Sequence, residues 1–220
     1  ANWLLRRWDT AINGVPTTAA MHNCWYMSLD DGFNESTAKL AIAAIDHIAK
    51  SDAPAIVIHV NSYGGSVYSL LPILDKLDAV RYNKETRKGK PIITICSQKA
   101  MSCGAVLFLY GDVRHMVGAH SEIMIHPVSS WHEAGQENAV QSGARASQLG
   151  RLNDQLFKAM RKHTGIDWEA LMSRKTKGAQ ELHLTAHDLQ HMGDTMISHT
   201  GKPIEAWNPA VAVDSKAAHV

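Results

Sequence analysis

The sequence has no excess of charge of either sign: 22 Lys and Arg stand against 21 Asp and Glu, a formal balance of +1 over 220 residues. A near-neutral chain exerts no global pull on nucleic acid or an acidic surface, so neither is expected as a partner. Cysteine is scarce. Cys24, Cys96 and Cys103 are widely spaced and form no CxxC pair, which removes the grounds for a zinc ribbon or a dithiol redox motif and fits a reducing cytoplasm. Long apolar runs are missing as well. The opening ANWLLRRWDT sets two arginines among its apolar residues, unlike a signal peptide or a membrane span, and the expectation is a cytoplasmic protein with no membrane partner. There is no GxxxxGK[ST] phosphate loop, so any ATP dependence has to come from another protein, and nothing calls for a cofactor or a metal. No internal repeat or low-complexity tract stands out.

What is present is enough apolar material, 45% of residues, for one substantial core. The expectation is a single domain over 1–200 and an irregular tail over 201–220. Residues 23–29 suit a first strand, and the apolar spacing of Leu40, Ile42, Ala44, Ile45 and Ile48 suits a helix over 36–50. AIVIHV at 55–60 is a β-rich run that ends in the turn NSYGGS and continues into a helical segment despite Pro72. PIITICS then feeds into QKAMSCGAVLFLYG in the same way, and a repeated strand, turn and helix is the mark of an α/β fold. VRHMVG and EIMIH read as further short strands. Residues 137–163 carry Val140, Leu149, Leu152, Leu156, Phe157 and Met160 at the spacing of a long amphipathic helix, whose apolar stripe needs a partner surface. A short helix near Asp167 to Arg174 and another from Thr185 to Met192 complete the reading.

Both glycine-bearing turns follow β-rich runs, and ligands gather in the crevice beyond such strand ends. Gly64 and Gly65 either make an ordinary tight turn or leave backbone N–H groups free for an oxyanion. Ser102 opens an apolar helix, as an N-cap or as an exposed nucleophile, outside any GxSxG pattern. His126 ends a strand just before Pro127, as a structural residue or as the base that a serine hydroxyl needs.

NSYGGSVYSLLPILDKL at 61–77, SQKAMSCGAVLFLYG at 97–111 and SEIMIHPVSS at 121–130, in that order, resemble the three signature blocks of the Clp protease proteolytic subunit. The likeness runs on through GQENAV, KHTG at 162–165 and LTAHDLQHMG at 184–193, from about Trp25 to Met196. It implies an α/β spiral of β-β-α units, as in the crotonase-like superfamily, with residues 137–163 as the handle helix. It further implies Ser102 as nucleophile, His126 as base, and the amides of Gly65 and Cys103 as oxyanion hole. Polypeptide substrates, self-association into single or double heptameric rings and an AAA+ unfoldase partner follow from the same resemblance. A phage-type head-maturation peptidase and a catalytically silent ring subunit are the alternatives.

One residue departs from the pattern. Where the family has its catalytic aspartate, within Arg-Asp-Thr, this chain has Arg174-Lys175-Thr176. Three readings follow: Glu181 or another nearby acid stands in, Ser102 and His126 work as a dyad, or the enzyme is slow. The basic stretch 84–90 reads as a solvated loop. His183, His187 and His191 recur every four residues and are expected on one helical face, at the surface or an interface.

Overall fold

The computed structural model describes residues 3–7, 11–12, 15–16, 25–29, 32–53, 55–83, 86, 88–117, 120–128, 139–175, 181–194 and 196–199. Its first strands are β1 (Trp3–Arg7), the two-residue pair β2 (Ala11–Ile12) and β3 (Val15–Pro16), and β4 (Trp25–Leu29). Helix α1 (Glu35–Lys50) follows, started by a capping box in which Asn34 and Thr37 each bond the other's backbone N–H. Then come β5 (Ile56–Ser62), α2 (Val67–Val80), β6 (Ile92–Met101), α3 (Cys103–Leu109), β7 (Val113–Met116) and β8 (Glu122–Ile125). The remainder is α4 (Ala139–Thr164), α5 (Trp168–Lys175), β9 (Leu182–Leu184), α6 (Ala186–His191) and β10 (Ile197–His199).

The main sheet runs β1-β4-β5-β6-β7-β10, parallel except for β1 at the edge. Buried strands of a parallel sheet read as continuous apolar runs, and Ile56, Val57, Ile58, Ile92, Ile93 and Ile95 are all buried. Strand β6 has ten residues and serves two partners: Ile93–Cys96 pair with β7, whereas Lys99–Met101 pair with β8. Neighbouring β5 breaks register between Val60 and Ser62 at the same level. This change of partner makes the spiral turn, and it brings the ends of β5, β6 and β8 together. Strand β9 closes that side antiparallel to β8.

Pro72 sits inside α2 without ending it, on that helix's exposed face. The long helix is described from Ala139, so the start expected at Glu137 lies outside the described residues. Leu152, Leu156 and Met160 bury the carboxyl half of α4 on the body, while residues 143–151 stand largely exposed. The strand expected at 23–29 is β4 over 25–29, residues 23–24 lying outside the described residues, and β1, β2, β3, β9 and β10 are additions to the elements foreseen. The tail 201–220 lies outside the described residues. The three-histidine face does not form: His183 is on β9, because Thr185 caps α6 and starts that helix two residues later. His187 and His191 do share α6, their rings edge to face at 4.4 Å. In the basic stretch, Lys90 reaches back and donates to the carbonyls of Ile48 and Ser51 at the end of α1.

Two polar knots brace this frame. The fully buried Arg114 guanidinium grips both carboxylate oxygens of Asp194 at 2.7 and 2.5 Å and donates to the carbonyls of Gly111 and His163, tying β7 to α4 and to the chain after α6. Nearby, the Tyr110 hydroxyl donates to Asp78, the Arg81 guanidinium covers the Tyr110 ring, and the His163 ring meets that ring edge-on at 4.5 Å. The buried Nε2 of His163 has no hydrogen-bond partner among the described residues.

Burial and the Arg81 guanidinium push the His163 imidazole down to about 3. The folded protein therefore keeps this ring neutral where the unfolded chain protonates, below about pH 6.5. Its contribution is complete above that pH and is lost as pH falls toward 3. Urea unfolding at pH 5 should show a loss of about 1–2 kcal/mol relative to pH 7, partial water access keeping it below the full linkage value. His163→Phe should flatten that slope; an equal slope in the variant refutes the assignment.

Candidate active site

Strand β5 ends at Ser62, and the chain must reverse into α2 within a few residues. Gly64 and Gly65 make that turn with φ of 104° and 146°, values that side chains rarely allow. The turn is tied to Phe33 like a short strand: Phe33 N–H donates to the Gly64 carbonyl, and Ser66 N–H donates to the Phe33 carbonyl, both at 2.9 Å. That pairing leaves the Gly65 N–H without an acceptor among the described residues.

Strand β6 delivers Ser102 to the opening of α3. Its φ of 53° and ψ of −121° make it the only described residue besides glycine with positive φ. Such strain persists only where its surroundings enforce it. Here Ser102 N–H donates to the Met124 carbonyl on β8 at 2.8 Å, and the Ser102 carbonyl accepts from Val106 N–H. Ser102 occupies the N-cap position of α3, yet its side chain caps nothing. Its Oγ lies 2.9 Å from Nε2 of His126 instead.

His126 stands one residue past β8, half-buried, where the following proline favours extended backbone. Its Nδ1 lies 2.7 Å from the Pro127 carbonyl oxygen. A carbonyl only accepts, so Nδ1 carries the ring proton and Nε2 offers its lone pair to the Ser102 hydroxyl. Cys103, next along, leaves its own N–H without an acceptor among the described residues, beside that of Gly65. Its thiol donates to the Gly65 carbonyl at 3.1 Å and so links the two. Burial pushes that thiol up to about 11, and it stays neutral. The pocket against these groups has apolar walls from Val67, Val106, Ile125, Leu156, Phe157 and Met160.

The four residues singled out from sequence, Gly65, Ser102, Cys103 and His126, thus line one pocket. The stand-in acid is not among the residues that line this pocket. Glu181 is exposed just before β9, 3.5 Å from Nε2 of His183, whose Nδ1 lies 3.6 Å from Glu122. Lys175 ends α5, and its side chain lies outside the described residues. Sequence reasoning missed Pro127, whose backbone oxygen occupies Nδ1, and Asn153 of α4, whose Oδ1 accepts from Val128 N–H at 2.6 Å. No group of three or more His, Cys, Asp or Glu that would hold a metal occurs among the described residues, and no described helix is long and apolar enough to cross a membrane.

Fold and site together define an α/β protein that presents a hydrogen-bonded serine and histidine beyond the carboxyl ends of a parallel sheet. The Clp protease family model matches residues 15–193, and the chain belongs to that family. Among curated proteins it is similar to the ATP-dependent Clp protease proteolytic subunit of Deinococcus radiodurans, 35% identical over 118 residues, 53% of this chain and 52% of that one. It is also similar to proteolytic subunit 4 of Rhodococcus jostii, 30% identical over 145 residues (65% and 67%), and to subunit 2 of Streptomyces avermitilis, 30% over 142 (63% and 64%). The chain thus spans between about half and two thirds of the length of these relatives.

Proposed function

We propose that the chain is a serine endopeptidase of the ClpP type, with Ser102 as nucleophile, His126 as general base, and no cofactor. The observation that carries this reading is the 2.9 Å contact between Ser102 Oγ and His126 Nε2, with the Gly65 and Cys103 amides free beside it. Nε2 takes the hydroxyl proton as Oγ bonds to the scissile carbonyl carbon, and the two N–H groups receive the negative charge that grows on the carbonyl oxygen. The imidazolium then returns its proton to the leaving amine as the C–N bond breaks. Water, deprotonated by the same nitrogen, cleaves the acyl ester and restores Ser102.

The pocket's apolar walls favour an apolar side chain ahead of the scissile bond. Small peptides need no ATP in this scheme; folded proteins need a partner unfoldase of the AAA+ type. The exposed half of α4 supports assembly into a ring whose chamber encloses the site, and the neutral, free Cys96 and Cys103 suit the cytoplasm.

A fluorophosphonate should label the chain once, and mass measurement in solution should give a multiple of the subunit mass. A monomer that labels refutes the ring while sparing the chemistry. A ring that neither labels nor cleaves peptides ending in apolar residues is the silent subunit, and the peptidase reading falls.

A further inference from the structure

The peptide bond between Pro127 and Val128 is engaged at both ends. Its oxygen lies 2.7 Å from His126 Nδ1, and its N–H donates to Asn153 Oδ1 at 2.6 Å. A backbone N–H can only donate, so the orientation of the Asn153 amide is settled by its partner: the oxygen meets Val128. The groups form one line, from Asn153 Oδ1 through the Val128 N–H and Pro127 carbonyl to His126, and from Nε2 to Ser102 Oγ.

We propose that Asn153 is a positioning residue for His126, acting through the Pro127–Val128 peptide in the role that the family's pattern gives to an aspartate. The inference rests on the peptidase reading for its consequence in turnover, though not for the geometry. Two physical effects operate. Donation by the Val128 N–H draws electron density onto the Pro127 oxygen and strengthens its hold on the Nδ1 proton, as in any polarised hydrogen-bond chain. The bond also pins the peptide plane to α4, a rigid element, so the carbonyl cannot swing away from the ring. A carbonyl so held selects the tautomer that leaves Nε2 free to accept. Lacking a full charge, it steadies the imidazolium less than a carboxylate would.

Among the described residues no charged side chain lines this pocket. Around the imidazole stand Val67 of α2, Cys103 and Val106 of α3, Ile125 of β8, and Asn153 and Leu156 of α4. Of these only Cys103 titrates, and its thiol is pushed up to about 11. Glu122 of β8 and Glu181, just before β9, both lie against His183, at 3.6 and 3.5 Å.

The test compares Asn153→Leu, which keeps the volume and loses the acceptor, with Asn153→Asp, which keeps the acceptor and adds a charge. Nitrogen-15 NMR of labelled histidine should show His126 protonated on Nδ1 in the parent chain and in Asn153→Asp, and a mixture of tautomers in Asn153→Leu. Fluorophosphonate labelling and kcat should fall about tenfold in Asn153→Leu at unchanged KM, the cost of one hydrogen bond to a neutral group. An unchanged tautomer and an unchanged labelling rate in Asn153→Leu overturn the proposal. Should that variant not fold, Asn153→Ala decides in its place: an unchanged tautomer and an unchanged labelling rate there overturn it. A parent chain that does not label, with the tautomer shifting to a mixture in Asn153→Leu, upholds Asn153's role and refutes the peptidase reading.

Discussion

Ser102→Ala is expected to lower peptide turnover at least a thousandfold and to abolish fluorophosphonate labelling, while leaving a folded protein. In the proposed mechanism the rate loss follows from removing the nucleophile itself; what remains is the slow reaction that bound water supports with the two N–H donors still in place. The fold should survive because Ser102 Oγ bonds His126 and caps nothing in α3. Stability offers a second and more diagnostic reading. At φ of 53° alanine is as strained as serine, whereas glycine is not. Ser102→Gly should therefore unfold at higher urea concentration than Ser102→Ala, by about 1 kcal/mol. Turnover near the parent value in either variant would end the assignment of Ser102 as nucleophile. Equal stability of the two would show that the backbone there is not held under strain.

That strain was not legible in the sequence, and the reason is physical. Serine is a poor choice for positive φ, so residue preference at position 102 argues for ordinary backbone; only the enforced contacts with Met124 and Val106 show otherwise. What the sequence revealed well were elements whose signal is local. Strands β5 and β6 are buried on both faces and so are written in β-branched runs, and α1 advertises itself by an apolar face and an Asn-Glu-Ser-Thr start. Strand β1 has two arginines in five residues, which suits an edge and hides it from a search for apolar runs. Strands β9 and β10 have three residues each, too few for any period to show.

The site divides along the same line. Ser102, His126 and Gly65 lie in blocks whose order and spacing survive in the primary structure, and the fold joins the blocks because β6 changes partner from β7 to β8. The group on His126 Nδ1 could not be found that way. A backbone carbonyl has no residue type, and Asn153 lies 27 positions beyond the histidine on a different element. Searching near Lys175 for an acid led to Glu181, close along the chain to the family position but paired with His183.

Gly64→Ala is expected to cost turnover a hundredfold or more, because the new methyl has nowhere to go. A Cβ at Gly64 would lie 2.6 Å from Ser102 Cβ and 2.8 Å from the Met101 carbonyl, well inside contact distance. Neither neighbour is the loose end of a flexible side chain: one is the root of the Ser102 side chain, the other the backbone of β6. The turn must therefore move away from Ser102, and it carries the Gly65 N–H with it. Losing one well-placed oxyanion donor costs about two to three orders of magnitude in kcat. The φ of 104° adds backbone strain, which by itself would lower stability without touching the chemistry. Gly165→Ala separates the two effects. Gly165 also has positive φ, 75°, yet a Cβ there meets nothing within 4 Å, and the residue lies just after α4, outside the pocket. That variant should lose about 1 kcal/mol or more of stability and keep its turnover. Both are to be assayed where unfolding curves show each protein fully native, with kcat and KM measured on the same peptide. If Gly64→Ala loses no more rate than Gly165→Ala, the Gly65 amide does not serve the oxyanion, and the charge must be met by Cys103 N–H alone.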